Sequence, residues 1–130
     1  MALKVILDTN ALMTPFEAGF NLQLAIQNAL VGEQGYSLIV PVPMLDELRR
    51  LSREGRWAAK AALKMVEGQG LPVEVMATEG RGDAAILELV ERLGKDEVVV
   101  FTSDRDLIKR LKESRVRLMR LRGKGHLEME

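Results

Sequence analysis

The stretch Leu3-Lys4-Val5-Ile6-Leu7-Asp8-Thr9-Asn10 decides how the whole 130-residue chain is read. Its first residues are apolar with β-branched side chains at the centre, which is the composition and length of a strand buried on both faces. Asp8 closes the run. In an open sheet of parallel strands, ligands collect in the crevice beyond the carboxyl ends of the strands, so an acid set there is a candidate site residue. Its partners are to be sought at the ends of other strands.

Working outward, residues 36–41, 73–76, 97–102 and 116–121 read as further strands, the run at 97–102 being the clearest. Pro41 and Pro43 stop the second strand. Residues 21–31 predict a helix with Leu24, Ala25, Asn28 and Val31 on one face. Further helices are expected from Met44 to near Gly55, over 56–66, where alanine raises helix propensity, and from Gly82 to Gly94 with Ala85, Ile86, Leu89, Val90 and Leu93 at helical intervals. Ser103-Asp104 opens one more, carrying Leu107, Ile108 and Leu111. Glycines at 68–70 and the Gly80-Arg81-Gly82 turn punctuate the pattern. Pro15 and Gly19 make residues 11–20 read as irregular, an apolar stretch with Met13 and Phe16 that offers a homodimer contact or a lid over the site. Strands alternating with helices imply crossover connections, and hence an α/β fold with a central parallel sheet of about five strands covered on both faces.

A hydrophobic content of 47% is that of an ordinary globular core, and the length suits one domain, placed at residues 1–122 with a short basic and acidic tail at 123–130. No apolar run approaches the roughly 20 residues a membrane helix needs, and signal-peptide features are lacking, so a soluble, cytoplasmic protein without membrane contact is expected. There is no cysteine, and the single histidine, His126, lies among glycines and charges near the C-terminus. Any metal must therefore be held by oxygen. Lys plus Arg and Asp plus Glu both number 19, yet they are segregated. Residues 49–64 and 105–126 are strongly basic and the remainder is correspondingly acidic, a pattern suited to a polyanion held over bound cations, although charge runs are also ordinary solvated helix faces.

Four acids take equivalent places on that outline: Asp8, Glu47, Asp83 and Asp104, each after a strand or early in the following helix. Gathered carboxylates repel and raise one another's pKa unless cations neutralise them. With oxygen ligands alone the cation is Mg²⁺ or Mn²⁺, which lowers the pKa of a bound water and aims it at phosphorus. No histidine triad or thiol competes with that reading. Asn10, Thr102 and Ser103 are placed to orient water or phosphate, and Asp106 is either a further ligand or a first-turn helix acid. Three of the acids also have a plain structural explanation, Asp83 and Asp104 as helix N-caps or first-turn acids and Glu47 as the partner of Arg50 or a neighbouring arginine; Asp8, after a buried strand, is harder to dismiss.

Ile6-Leu7-Asp8-Thr9-Asn10, Pro43-Met44-Leu45-Asp46-Glu47-Leu48, Gly82-Asp83-Ala84-Ala85-Ile86-Leu87 and Thr102-Ser103-Asp104-Arg105-Asp106-Leu107 together resemble the PIN domains, in the order and spacing of that family. The resemblance implies a three-layer α/β/α sandwich and a Mg²⁺- or Mn²⁺-dependent endoribonuclease site built from Asp8, Glu47, Asp83 and Asp104. Gly82 stands where many members carry a second acid. Arg49, Arg53, Arg56, Arg105 and Lys109 would hold RNA phosphates. The family includes ribosomal-RNA-processing nucleases and the toxins of VapBC-type toxin–antitoxin pairs; the alternative expectations are a weakly active or inactive RNA-binding or ribosomal-RNA-processing scaffold with a ribosome-assembly partner, or a toxin with an antitoxin partner.

Overall fold

The apolar runs that open the argument, β1 (Leu3–Leu7), β2 (Tyr36–Pro41) and β4 (Val98–Phe101), lie side by side in the middle of a six-stranded sheet in the computed structural model, which describes residues 2–68 and 70–130. The edges are the more polar β3 (Glu74–Met76) on one side and, beyond β5 (Arg117–Arg122), β6 (His126–Met129) on the other. The order is β3-β2-β1-β4-β5-β6. All pairings are parallel except the last, between β5 and β6. Val5 sits between Leu38 and Val99, and Ile6 between Ile39 and Val100, so the central ladder presents only hydrocarbon to the layers above and below. Burial on both sides is what selects such continuous runs.

Six helices cover the sheet: α1 (Thr9–Ala18), α2 (Leu22–Ala29), α3 (Val42–Arg53), α4 (Trp57–Glu67), α5 (Asp83–Leu93) and α6 (Arg105–Glu113). Parallel strands joined by right-handed crossovers place α1 to α4, which connect strands running outward from β1, on one face. The same rule puts α5 and α6 on the other, which gives the expected three layers. Leu12, Ile26, Leu48 and Ala59 fill one interface; Ile86, Leu89, Leu107 and Leu111 fill the other.

The structure departs from the sequence reading in three places. The sheet has six strands rather than about five, because residues expected as a tail form β6, whose Leu127 is buried and whose end is tied by paired backbone bonds between Leu118 and Glu130 (3.1 and 2.7 Å). Residues 11–20 are not irregular. Helix α1 runs through Pro15, with Ala11, Leu12, Met13 and Pro15 all buried, and Gly19, at φ 74°, ends it rather than interrupting it. A proline inside a helix costs about 3 kcal/mol, and burial of that apolar face offsets it. Met13 is therefore core and serves neither as a dimer contact nor as a lid. Finally, α2 buries Leu22, Ala25 and Ile26 and leaves Leu24 (53%) exposed, with Val31 (81%) exposed in the turn beyond its end, so the expected face is rotated away from the sheet. Asn21 sets the register by capping the Leu24 amide at 3.0 Å. The glycine-bounded turn at 68–70 includes Gln69, which lies outside the described residues.

The hairpin joining β5 to β6 folds back against the corner between α1 and α2. Gly125, at φ 75°, has the Phe20 Cβ only 2.8 Å from where its own Cβ would stand. Replacing Gly125 by alanine combines backbone strain with a clash, and a loss of about 1–3 kcal/mol is expected in urea unfolding. Gly123→Ala, at φ 63° with open space around it, should cost less.

Candidate functional site

From β1 the chain steps to β2 and β3, whereas from β4 it steps the opposite way to β5. Connections leaving two such neighbouring strands diverge to opposite faces and open a crevice at their carboxyl ends. Asp8 follows β1 and Asp104 follows β4, so both acids stand at that reversal.

Asp8 is only 6% exposed. Its Oδ1 accepts the Ala11 amide at 2.7 Å as the N-cap of α1, and its Oδ2 accepts the Thr102 hydroxyl. The Thr102 oxygen in turn accepts the Asp104 amide at 3.0 Å, while Asp104 Oδ1 caps α6 through the Leu107 amide at 3.1 Å. A single buried hydroxyl thus ties together the starts of two helices and the two acids that cap them. The positive ends of both helix dipoles face the crevice and temper its negative charge.

Asp83 reaches the same crevice from the start of α5. Its approach is fixed by Glu88, whose carboxylate accepts the Glu79 and Gly80 amides (3.0 and 2.9 Å), and by Arg92, which donates to the Ala77 carbonyl at 2.9 Å. Gly82 turns the chain into the helix at φ 56° and ψ −136°, a conformation essentially confined to glycine. A second acid at that position would be strained, which is a backbone reason for the single carboxylate here.

Burial holds the Asp8 carboxyl above its ordinary range; the Thr102 and Ala11 hydrogen bonds oppose this, and the charges of Asp104 and Asp83 add to it. Asp83 is raised by desolvation and by Asp104, partly offset by Arg110, with Asp106 adding more. Glu47 behaves differently. It lines the same cleft, but Arg50 grips it at 2.5 and 3.2 Å and pulls its carboxyl below the usual value, while also reaching Glu54 at 2.6 Å.

The cleft has a volume of about 890 Å³. Asp8, Asn10, Glu47, Asp83 and Asp104 line it, together with Arg49, Arg50, Arg53, Arg56 and Arg81. Thr102 is buried beneath it, and Ser103, Asp106, Arg105 and Lys109 are exposed outside its lining. Two cleft cations were missed by sequence reasoning: Arg50, read only as the partner of Glu47, and Arg81, which stands between two glycines just before Asp83. That adjacency was the available signal. Arg49 is engaged by Asp46 and Glu67, and Arg56 by Glu17, whereas Arg53 and Arg81 have no carboxylate partner among the described residues.

None of Asp8, Asp83 and Asp104 is ion-paired with a Lys or Arg among the described residues, and only the more distant Arg110 tempers the charge at Asp83. Their oxygens are hard donors. No group of three His, Cys, Asp or Glu among the described residues is set closely enough to enclose an ion as the side chains stand, so holding one would require Asp83 to adjust or water to bridge.

Comparison with known proteins agrees with this architecture. A family model described as a PIN-like domain matches residues 5–124. Ribonuclease VapC4 of Methanocaldococcus jannaschii is 27% identical over 129 residues, covering 97% of this chain and 95% of that protein. The solved structure of the PIN domain endonuclease Utp24 superposes with a TM-score of 0.79 at 18% identity, over 98% of this chain and 90% of the other, and so shows the shared fold.

The raised Asp8 pKa has a definite consequence for stability. An acid whose folded pKa exceeds its unfolded value contributes stability that is present below the unfolded pKa, near 3.8, and lost as pH rises through the folded one. In chelator, Asp8→Asn, which does not ionise, should therefore gain on the parent in stability as the pH is raised toward neutrality, opening a pH-dependent gap between them. The gap should close as the pH falls toward 3.8, and thermal melts across that range measure it.

Proposed function

The chain belongs to the PIN-like domain family, and from that premise we propose that it is an endoribonuclease dependent on Mg²⁺ or Mn²⁺. The observation that carries this reading is the convergence of Asp8, Asp83 and Asp104, without basic partners among the described residues, on one arginine-walled cleft at the reversal of the sheet. The name of the relative Ribonuclease VapC4 supports the same class of activity.

Asp8, Asp83 and Asp104 would hold the ion, with Glu47 a further donor once it leaves Arg50. When bound, such an ion lowers the pKa of a coordinated water toward neutrality and polarises the phosphoryl oxygen. The chain's own groups do the rest. Thr102 keeps Asp8 and Asp104 in register, so two donors are held before substrate arrives. Asn10, exposed at the cleft, offers an amide to a phosphate oxygen or to the attacking water. Arg49, Arg50, Arg53 and Arg56 come from the α3–α4 side and Arg81 from the α5 side. Cations on both walls let a strand run across the acids rather than end at them, which favours internal cleavage.

Cleavage of a single-stranded RNA should require added Mg²⁺ or Mn²⁺ after chelation, and Asp8→Asn or Asp104→Asn should lower it by roughly a hundredfold or more, with RNA affinity retained. Thermal melts give a second readout, since cation at a hundred times its Kd should stabilise the parent by about 2.7 kcal/mol and the Asp8→Asn variant by much less. Cleavage that persists in chelator, or that survives both substitutions, would refute the proposal.

Phosphate contacts have their own signature. Arg53→Gln and Arg81→Gln should each flatten the dependence of log affinity on log salt for single strands by about 0.7, as read by fluorescence anisotropy.

A further inference from the structure

Trp57 opens α4 and is 62% exposed. The helix does not need it there, because its buried face is made by Ala58, Ala59, Ala62 and Val66. The residue just before it, Arg56, and the nearby Arg53 both line the acid cleft, so Trp57 adjoins cleft residues in the chain without itself lining the cleft. Arg53, Glu54, Arg56 and Lys60, the charged positions around it in sequence and one turn along the helix, are all exposed. Protein-docking sites centre their aromatic anchors in apolar patches depleted of charge. Here the surroundings are mainly cationic. An exposed ring beside cations that track a backbone is the combination that binds single-stranded nucleic acid, with phosphates on the cations and an unstacked base on the ring.

We propose that Trp57 is a stacking platform for a base of the RNA strand, adjacent to a phosphate held by Arg53. The inference rests on the nuclease reading above and adds a residue that contacts a substrate base. In a duplex every base is already stacked between its neighbours and has no face to offer, so strand pairing removes this contact while leaving the phosphate contacts in place.

Trp57 is the chain's single tryptophan, so intrinsic emission reports this position alone. The test uses Asp8→Asn protein, and the parent in EDTA, titrated with single-stranded oligoadenylate, a duplex of equal length and inorganic polyphosphate. Binding is followed independently by the anisotropy of a fluorescein-labelled strand. The single strand should quench the emission, whereas polyphosphate should displace the labelled strand without quenching. Trp57→Ala should weaken the single strand about tenfold and the duplex little, while Trp57→Phe keeps most of the affinity. If the strand binds with emission unchanged and Trp57→Ala is neutral, the platform is refuted and the nuclease reading stands. Absence of RNA binding in anisotropy overturns both. An emission shift that follows protein concentration rather than RNA assigns Trp57 to a contact between copies and also overturns the inference.

Discussion

The buried hydrogen bond from Thr102 to Asp8 is the contact on which the site depends. A carboxylate that is almost out of water is tolerated only if its oxygens are satisfied, and the donors available are one helix amide and this hydroxyl. Because the same hydroxyl accepts the Asp104 amide, the end of β4 cannot shift without disturbing the end of β1. The central pair of strands and the two acids therefore form one mechanical unit. Asp83 joins it electrostatically rather than by direct contact, which leaves it freer to adjust when charge enters the crevice.

A second layer of control lies in how the basic ridge is partly neutralised by its own acids. Arg50 is shared between Glu47 and Glu54, and Arg49 and Arg56 are engaged by carboxylates from α3, α4 and α1. These are half-exposed pairs and individually weak, so a polyanion can replace them at small cost. Until it does, the arginines are held extended toward the cleft.

Much of this was legible in the sequence, because the central strands are mostly hydrophobic, broken only by Lys4 and Ser37, and each is followed within a few residues by an acid. Val98-Val99-Val100-Phe101 allows hardly any other reading. What failed did so for identifiable reasons. Pro15 and Gly19 carry breaker signals, yet tertiary burial of Leu12 and Met13 overrode the first and only the second acted as a stop. The phase of α2 was misjudged because Leu24 and Val31 are as apolar as Leu22 and Ile26, and only the position of the sheet distinguishes them. Strand β6 is too short and too charged to register as a period-two pattern. The role of Thr102 as the link between acids was invisible, since a hydroxyl's partners across 94 positions of chain cannot be read from its neighbours.

The placement of β1 has a consequence for how the molecule comes into being. Strand β1 is made before both partners of its two edges, β2 and β4, the latter more than ninety positions further along the chain. Closing so long a loop is entropically slow, and topologies dominated by distant pairings fold late. During synthesis β1 waits with one edge open, and Asp8 meets neither its hydroxyl donor nor Asp104 until β4 has emerged and docked. The crevice is thus incomplete until β4 arrives, so a partly made chain carries the first acid of the site without the rest.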